Sequence, residues 1–215
     1  MDSAKEIARD MLEAINVDGS GFFGAVAKGF ISLPVSLGYL GYDFIDTEHR
    51  QENLDDKFRL AELIKRVTFN QETIYNIIRP FIDDFILYVD INEFSSFPRD
   101  VAGTTMGKIV FSQVTGVNIG KAIVSQGVGA YFSGAVSGGI LVIGAEASRA
   151  IYTSRYLRER NLFMYTKLKN AGSFDLLYYL VEDIVSPYEK ACEIAEKDSK
   201  EFNKICEYFF GGLWG

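Results

Sequence analysis

The chain has 215 residues, 24% charged and 48% hydrophobic, ordinary values for a folded globular protein that exclude global disorder. Its 22 basic residues stand against 29 acidic ones, a net charge of −7, which excludes the basic footprint a nucleic-acid binder needs. Two cysteines cannot build a disulfide framework, and a single histidine removes most histidine-based metal and acid–base chemistry.

The length fits one large domain or two small ones, and a single helical domain over 1–215 is the expectation. In chain order, the first segment reads as an amphipathic helix. Ile7, Met11, Leu12 and Ile15 share a face, Asp2 or Ser3 can cap its start, and Gly19 and Gly21 stop it. It has none of the pattern of a secretory signal peptide, so a chain made in soluble form in the cytoplasm is expected. Residues 21–44 are apolar but broken by Pro34, which points to two short pieces instead of one span. Residues 46–56 form a polar link and helix start, after which Leu54, Phe58, Ala61, Ile64 and Val67 recur at helical spacing. Asn70 can cap a third helix carrying Ile74, Ile77 and Ile78, which Pro80 kinks or divides before it continues to about Ile91. Asp100 can cap the segment after it.

Glycine and charge then part company. Ten of the 20 glycines lie between Val101 and Ala145, where the only ionic side chains are Lys108 and Lys121. From Ala122 to Ala145 there are 24 residues with no charge at all. The Val and Ile content would allow strands, but the length and the scarcity of turn signals favour helices. A break near Gly116 to Gly120 would make a helical hairpin with Lys121 at its tip. Next, Ala147 to Lys169 carries Arg149, Arg155, Arg158, Arg160, Lys167 and Lys169 against Glu159 alone, a basic amphipathic helix over about 147–170. Ser173 can cap a further helix. Ser186, Pro187 and Glu189 make a good start for the last one, whose inner face would be Ala191, Ile194, Ala195, Phe202, Cys206 and Phe209. The expected fold class is all-α, a bundle of about eight helices around a Gly-rich hydrophobic hairpin.

Motifs for chemistry are weak. Gly103 to Lys108 has three residues between its glycines where a phosphate loop needs four, and Ile109 follows the lysine instead of Ser or Thr. Gly127 and Gly129 lack the third glycine of a dinucleotide fingerprint. His49 sits among acids in a polar link and reads as solvated. Asp83, Asp84, Asp90 and Glu93 lack the spacing of a calcium loop and read as a solvated helix face. Cys192 and Cys206, 14 residues apart on one helix, would be about 21 Å apart and cannot bond to each other. No nucleophile comes with a histidine and an elbow motif, so no catalytic residue, metal or cofactor is expected.

The uncharged run has two readings. It is either the buried centre of a helical core or a latent membrane segment, since 24 helical residues reach about 36 Å against a hydrocarbon layer of about 30 Å. Gly134 and Gly138 have the four-residue spacing of closely packed membrane helices, and the basic stretch begins where anionic headgroups would lie. Ser125, Gln126, Ser133, Ser137 and six glycines dilute the run, as in a protein that is soluble first and inserts later.

A soluble helical domain of this size hiding an uncharged hairpin resembles the pore-forming domain of colicins and related antibacterial effectors. The likeness is carried by Lys108 to Ala145, with Lys121 at the tip, and by the amphipathic helices around them. It is architectural, without a diagnostic motif. It departs from colicins in having about 70 residues after the hairpin and a second apolar segment at 20–42. The resemblance implies a toxin secreted by a dedicated system and acting at a target cell membrane. A cognate immunity protein or delivery chaperone would be a further partner. Arg149, Arg155, Arg158, Arg160, Lys167 and Lys169 would dock on anionic lipid. Val124, Val128, Tyr131, Phe132, Ile140, Leu141, Val142 and Ile143 would face lipid, packed through Gly134 and Gly138, with low pH helping the fold to open. The alternative is a cytosolic helical binding protein, an immunity or adaptor protein, using acidic surfaces at 46–56 or 83–93 to hold a basic partner.

Overall fold

The structure is a computed structural model and describes residues 3–14, 39, 41–67, 71–90 and 140–214. The protein is all-α: among the described residues every regular element is helical and there is no strand. In chain order these are α1 (Ala4–Ala14), α2 (Arg50–Arg66), α3 (Gln71–Tyr88), α4 (Ile140–Arg160), α5 (Leu162–Asn170), a 3-10 helix (Phe174–Leu180), α6 (Glu182–Lys197) and α7 (Ser199–Trp214). A short helical stretch at residues 41–45 precedes α2.

The chain divides into two compact units. Of the described residues, the first unit takes 3–14, 78–90 and 182–214, and the second takes 39, 41–67, 71–77 and 140–181. The expected caps and breaks at Asp2, Pro34, Asn70, Asp100 and Gly116 to Gly120, with Ile15, Gly19 and Gly21, lie outside the described residues.

In the first unit α1, α6 and α7 pack on one another and on the second half of α3. A reciprocal cap starts α1: Glu6 N donates to Ser3 Oγ at 3.3 Å, and Ser3 N donates to the Glu6 carboxylate at 2.8 Å. Its buried face is Ala4, Ile7, Ala8 and Met11. The core is aromatic. Phe85 meets Tyr188, Phe202 and Phe209 edge-on, with ring centroids 5.6, 5.6 and 6.0 Å away, the arrangement ring quadrupoles prefer. Pro80 does not divide α3, which runs through it and forgoes the single hydrogen bond to the Asn76 carbonyl.

Three boundaries at this end differ from expectation. α6 starts at Glu182, so Pro187 lies inside the helix instead of opening it, and Glu182 and Asp183 complement the dipole of its first turn. The helix expected to run on from there is broken at Asp198, whose carboxylate accepts from the backbone N–H groups of Lys200 and Glu201 at 3.0 and 3.1 Å and so starts α7. Nor do Gly211 and Gly212 end α7, which continues to Trp214. A Cβ on Gly212 would collide with Leu12 Cδ1, so the glycine lets α7 approach α1. Cys192 and Cys206 are buried free thiols, as expected.

In the second unit α4 packs against α2, α5 and the 3-10 helix. The helix expected over 147–170 is two helices. Asn161 ends α4 and caps α5, its side chain accepting from Met164 N at 3.0 Å. Ser173 does not cap a helix. It sits at φ 66° after Gly172 at φ 127°, and this pair of left-handed residues reverses the chain into the 3-10 helix. Arg66 fills the space beside Gly172 and donates to its carbonyl at 2.6 Å. Every residue from Asp175 to Leu180 is buried, so the segment has no solvent face and no helical stripe to read from the sequence.

Candidate functional site

The most elaborate polar structure among the described residues is the seam between α2 and α4. The sequence placed the inner face of α2 at Leu54, Phe58, Ala61 and Ile64. The structure buries Asn53, Leu60 and Leu63 instead and leaves Leu54 and Phe58 exposed. Asp56 and Arg59 lie on or beside the buried stripe and meet partners some hundred residues away in sequence, which local periodicity cannot show.

Three ionic groupings run along the seam. At its deepest, Arg59 Nη2 donates to both carboxylate oxygens of Asp175 at 2.7 and 2.9 Å, and Ser154 Oγ donates to the same carboxylate at 2.7 Å. The Asp175 side chain has 0% exposure, and these donors replace the water that burial removes from its carboxylate. Next to it Asp56 joins two arginines, accepting from Arg59 at 2.8 Å and from Arg155 at 3.0 Å. Glu52 then accepts from Arg158 at 2.8 Å. That hydrogen bond holds the Glu52 carboxyl below its ordinary value of 4.5, against a smaller opposing effect of partial burial.

A mixed polar and ionic grouping continues the seam. Asn53 Nδ2 donates to Asp43 at 2.9 Å and to the Tyr152 hydroxyl at 3.0 Å, and that hydroxyl donates to Asp46 at 2.9 Å. Lys57 and Ser148 also donate to Asp43, at 2.7 and 3.1 Å. His49 Nδ1 lies 2.9 Å from Asp46, whose carboxyl is lowered chiefly by that hydrogen bond. Burial, reinforced by the bond to Asp46, pushes the Tyr152 hydroxyl upward. His49 therefore fixes a carboxylate, where the sequence suggested only solvation. The seam is not fully satisfied: Asn53 Oδ1, Thr153 Oγ1 and Arg155 Nε, all on α2 or α4, are buried without a hydrogen-bond partner, each at a cost of about 1–3 kcal/mol.

This places the expected lipid-docking residues in two groups. Arg155 is buried against Asp56, and Arg158 is paired with Glu52, so both are committed to α2. Arg149 lies over the Tyr179 ring at 5.4 Å, and Arg160 lies over Tyr156 at 5.0 Å while donating to the Tyr178 hydroxyl. Lys167 and Lys169 are exposed on α5, over Phe163 and Tyr165 at 5.6 and 5.3 Å. Of the expected inserting residues, Ile140, Leu141, Val142 and Ile143 form the first turn of α4. Val124, Val128, Tyr131, Phe132, Gly134, Gly138 and the tip Lys121 lie outside the described residues.

Among the described residues no helix is long and apolar enough to cross a membrane, and no group of three or more His, Cys, Asp and Glu side chains is arranged to hold a metal ion. Asp83 pairs with Arg79 one turn earlier at 3.3 Å, and Glu93 lies outside the described residues. Comparison with protein-family models, with curated proteins and with solved structures finds no match to this chain.

Proposed function

We propose that the protein is a soluble-to-membrane effector whose uncharged 122–145 segment enters a target bilayer and depolarises it, with α2 acting as a removable clamp on α4. The observation that carries the reading is the continuity of α4. One helix begins inside the uncharged run and ends in the arginine-rich stretch, with Arg155 and Arg158 held by acids of α2. Anionic headgroups offer those arginines the same chemistry as Glu52 and Asp56 and compete for them at close range. Exchange of partners would release α2 and leave the oily first turn of α4 and the segment before it facing lipid. The three unsatisfied polar atoms at the seam lower the cost of that exchange.

Acid has a limited part in this reading. Glu52 is held below its ordinary value of 4.5 by its bond from Arg158, so mild acidification leaves that pair intact, and lipid charge is the proposed trigger. The test is dye release from phosphatidylglycerol-containing liposomes, together with membrane potential in bacteria expressing the protein in the cytosol or exported. Release that needs anionic lipid at both pH 7 and pH 5, with depolarisation on export, supports the reading. No release at either pH and no depolarisation overturns it.

A second reading, a helical binding protein, draws on the apolar residues left uncovered on and before α2: Leu54, Phe58, Phe44 and Ile45 are all exposed. It predicts stable co-purification with a partner and no leakage from liposomes.

A further inference from the structure

We infer that the exposed face of α5, with Leu162 and Phe163 as apolar anchors and Lys167, Lys169 and Arg160 as the cationic rim, is the surface that first docks on an anionic lipid bilayer. The inference rests on the membrane reading above but narrows the docking step to three of the six basic residues and adds two apolar anchors that the charge pattern does not select. α5 buries Met164, Tyr165 and Leu168 on one side. Its other side is Leu162, Phe163, Thr166, Lys167, Lys169 and Asn170, all exposed. Leu162 and Phe163 are 63% and 64% exposed, costly positions for large apolar side chains in water, and they sit at the corner where α4 turns into α5.

Charge selects the occupant. Along the chain from Glu159 to Asn170, Arg160, Lys167 and Lys169 stand against Glu159 alone, and the nearby acid Glu52 is already paired with Arg158. Aromatic rings carry all three cations, Phe163 under Lys167, the buried Tyr165 under Lys169 and the half-exposed Tyr156 under Arg160. A ring with a cation on its edge of solvent suits the bilayer interface, where the ring enters the headgroup layer and the cation reaches a phosphate. A second exposed apolar stripe, Leu54 and Phe58 on α2, has both signs beside it, Asp55 and Glu62 with Lys57 and Lys65, and so lacks that complementarity. Arg155 and Arg158 are not in the dock, because α2 already holds them.

The test separates docking from leakage by measuring each. The full chain is sedimented with vesicles of phosphatidylcholine alone or with phosphatidylglycerol, at low and high salt, and dye release is followed in parallel. The expected result is salt-sensitive binding to the phosphatidylglycerol vesicles, weakened about tenfold by Leu162→Ala with Phe163→Ala and again by Lys167→Glu with Lys169→Glu. Leu54→Ala with Phe58→Ala should leave binding unchanged. All these positions are exposed, so unaltered thermal unfolding verifies that each variant folds. Binding that is undiminished in the α5 variants, lost equally in the α2 variant, equal on neutral vesicles or absent altogether overturns the inference. Docking with these properties but without dye release upholds the dock and overturns the insertion reading.

Discussion

Glu52 shows how a single carboxylate sets the acid limit of the seam. The hydrogen bond from Arg158 lowers its folded-state value below 4.5, so the stability it contributes is fully present above that ordinary value and is lost as pH falls through the lowered one. Glu52→Gln should therefore lower the melting temperature at pH 7 by a few degrees and make the loss between pH 5 and pH 3 shallower than in the parent. Equal slopes in the two proteins would show that the pair contributes nothing. The thiols give a second residue-scale prediction. Burial pushes the Cys206 thiol up to about 12 and raises Cys192 as well, so neither offers a thiolate at neutral pH. A thiol reagent at pH 8 should label the native protein far more slowly than the protein in guanidinium, where both groups react. Rapid native labelling of either cysteine would contradict its burial.

At the scale of elements, the Arg59–Asp175 pair ties α2 to the 3-10 helix as well as to α4 through Ser154. Arg59→Ala leaves a carboxylate of 0% exposure with Ser154 as its remaining side-chain donor and should cost about 3–5 kcal/mol in denaturant unfolding. A loss below about 1 kcal/mol would show that the Arg59–Asp175 pair does not hold α2 in place. The sequence made α1 legible down to its cap, because Ser3, Glu6 and the Ile7 to Met11 stripe are local signals. The helix of α2 was legible too, but its buried face was not. Its apolar residues mark Leu54 and Phe58, whereas burial follows Asn53 and Asp56, whose partners Tyr152 and Arg155 are 99 residues away. The two internal prolines misled for a related reason: a missing backbone donor marks a weak point, and packing of Phe81 and Phe85 after Pro80, and of Tyr188 after Pro187, outweighs it. The break at Asn161 had a readable signal, since asparagine is a strong cap residue, but the run of charge on both sides of it hid the turn.

For the whole molecule, charge is distributed so that the protein's most basic stretch lies beside its least charged one, and α4 runs from the end of the uncharged stretch into the arginines. Burying an arginine at that junction is costly unless it is paired, and the acids of α2 supply the partners of Arg155 and Arg158. The central claim is that residues 122–145 pass into hydrocarbon once the protein meets anionic lipid. Trp214 is the single tryptophan, so Phe132→Trp in a Trp214→Phe background gives one reporter within that segment. Its fluorescence is measured with phosphatidylglycerol vesicles that also contain phosphatidylcholine brominated along the acyl chain. The account predicts a blue shift and strong quenching by the acyl-chain bromines, both reversed when phosphatidylglycerol is omitted. An unshifted, unquenched reporter on vesicles to which the protein is demonstrably bound would contradict it.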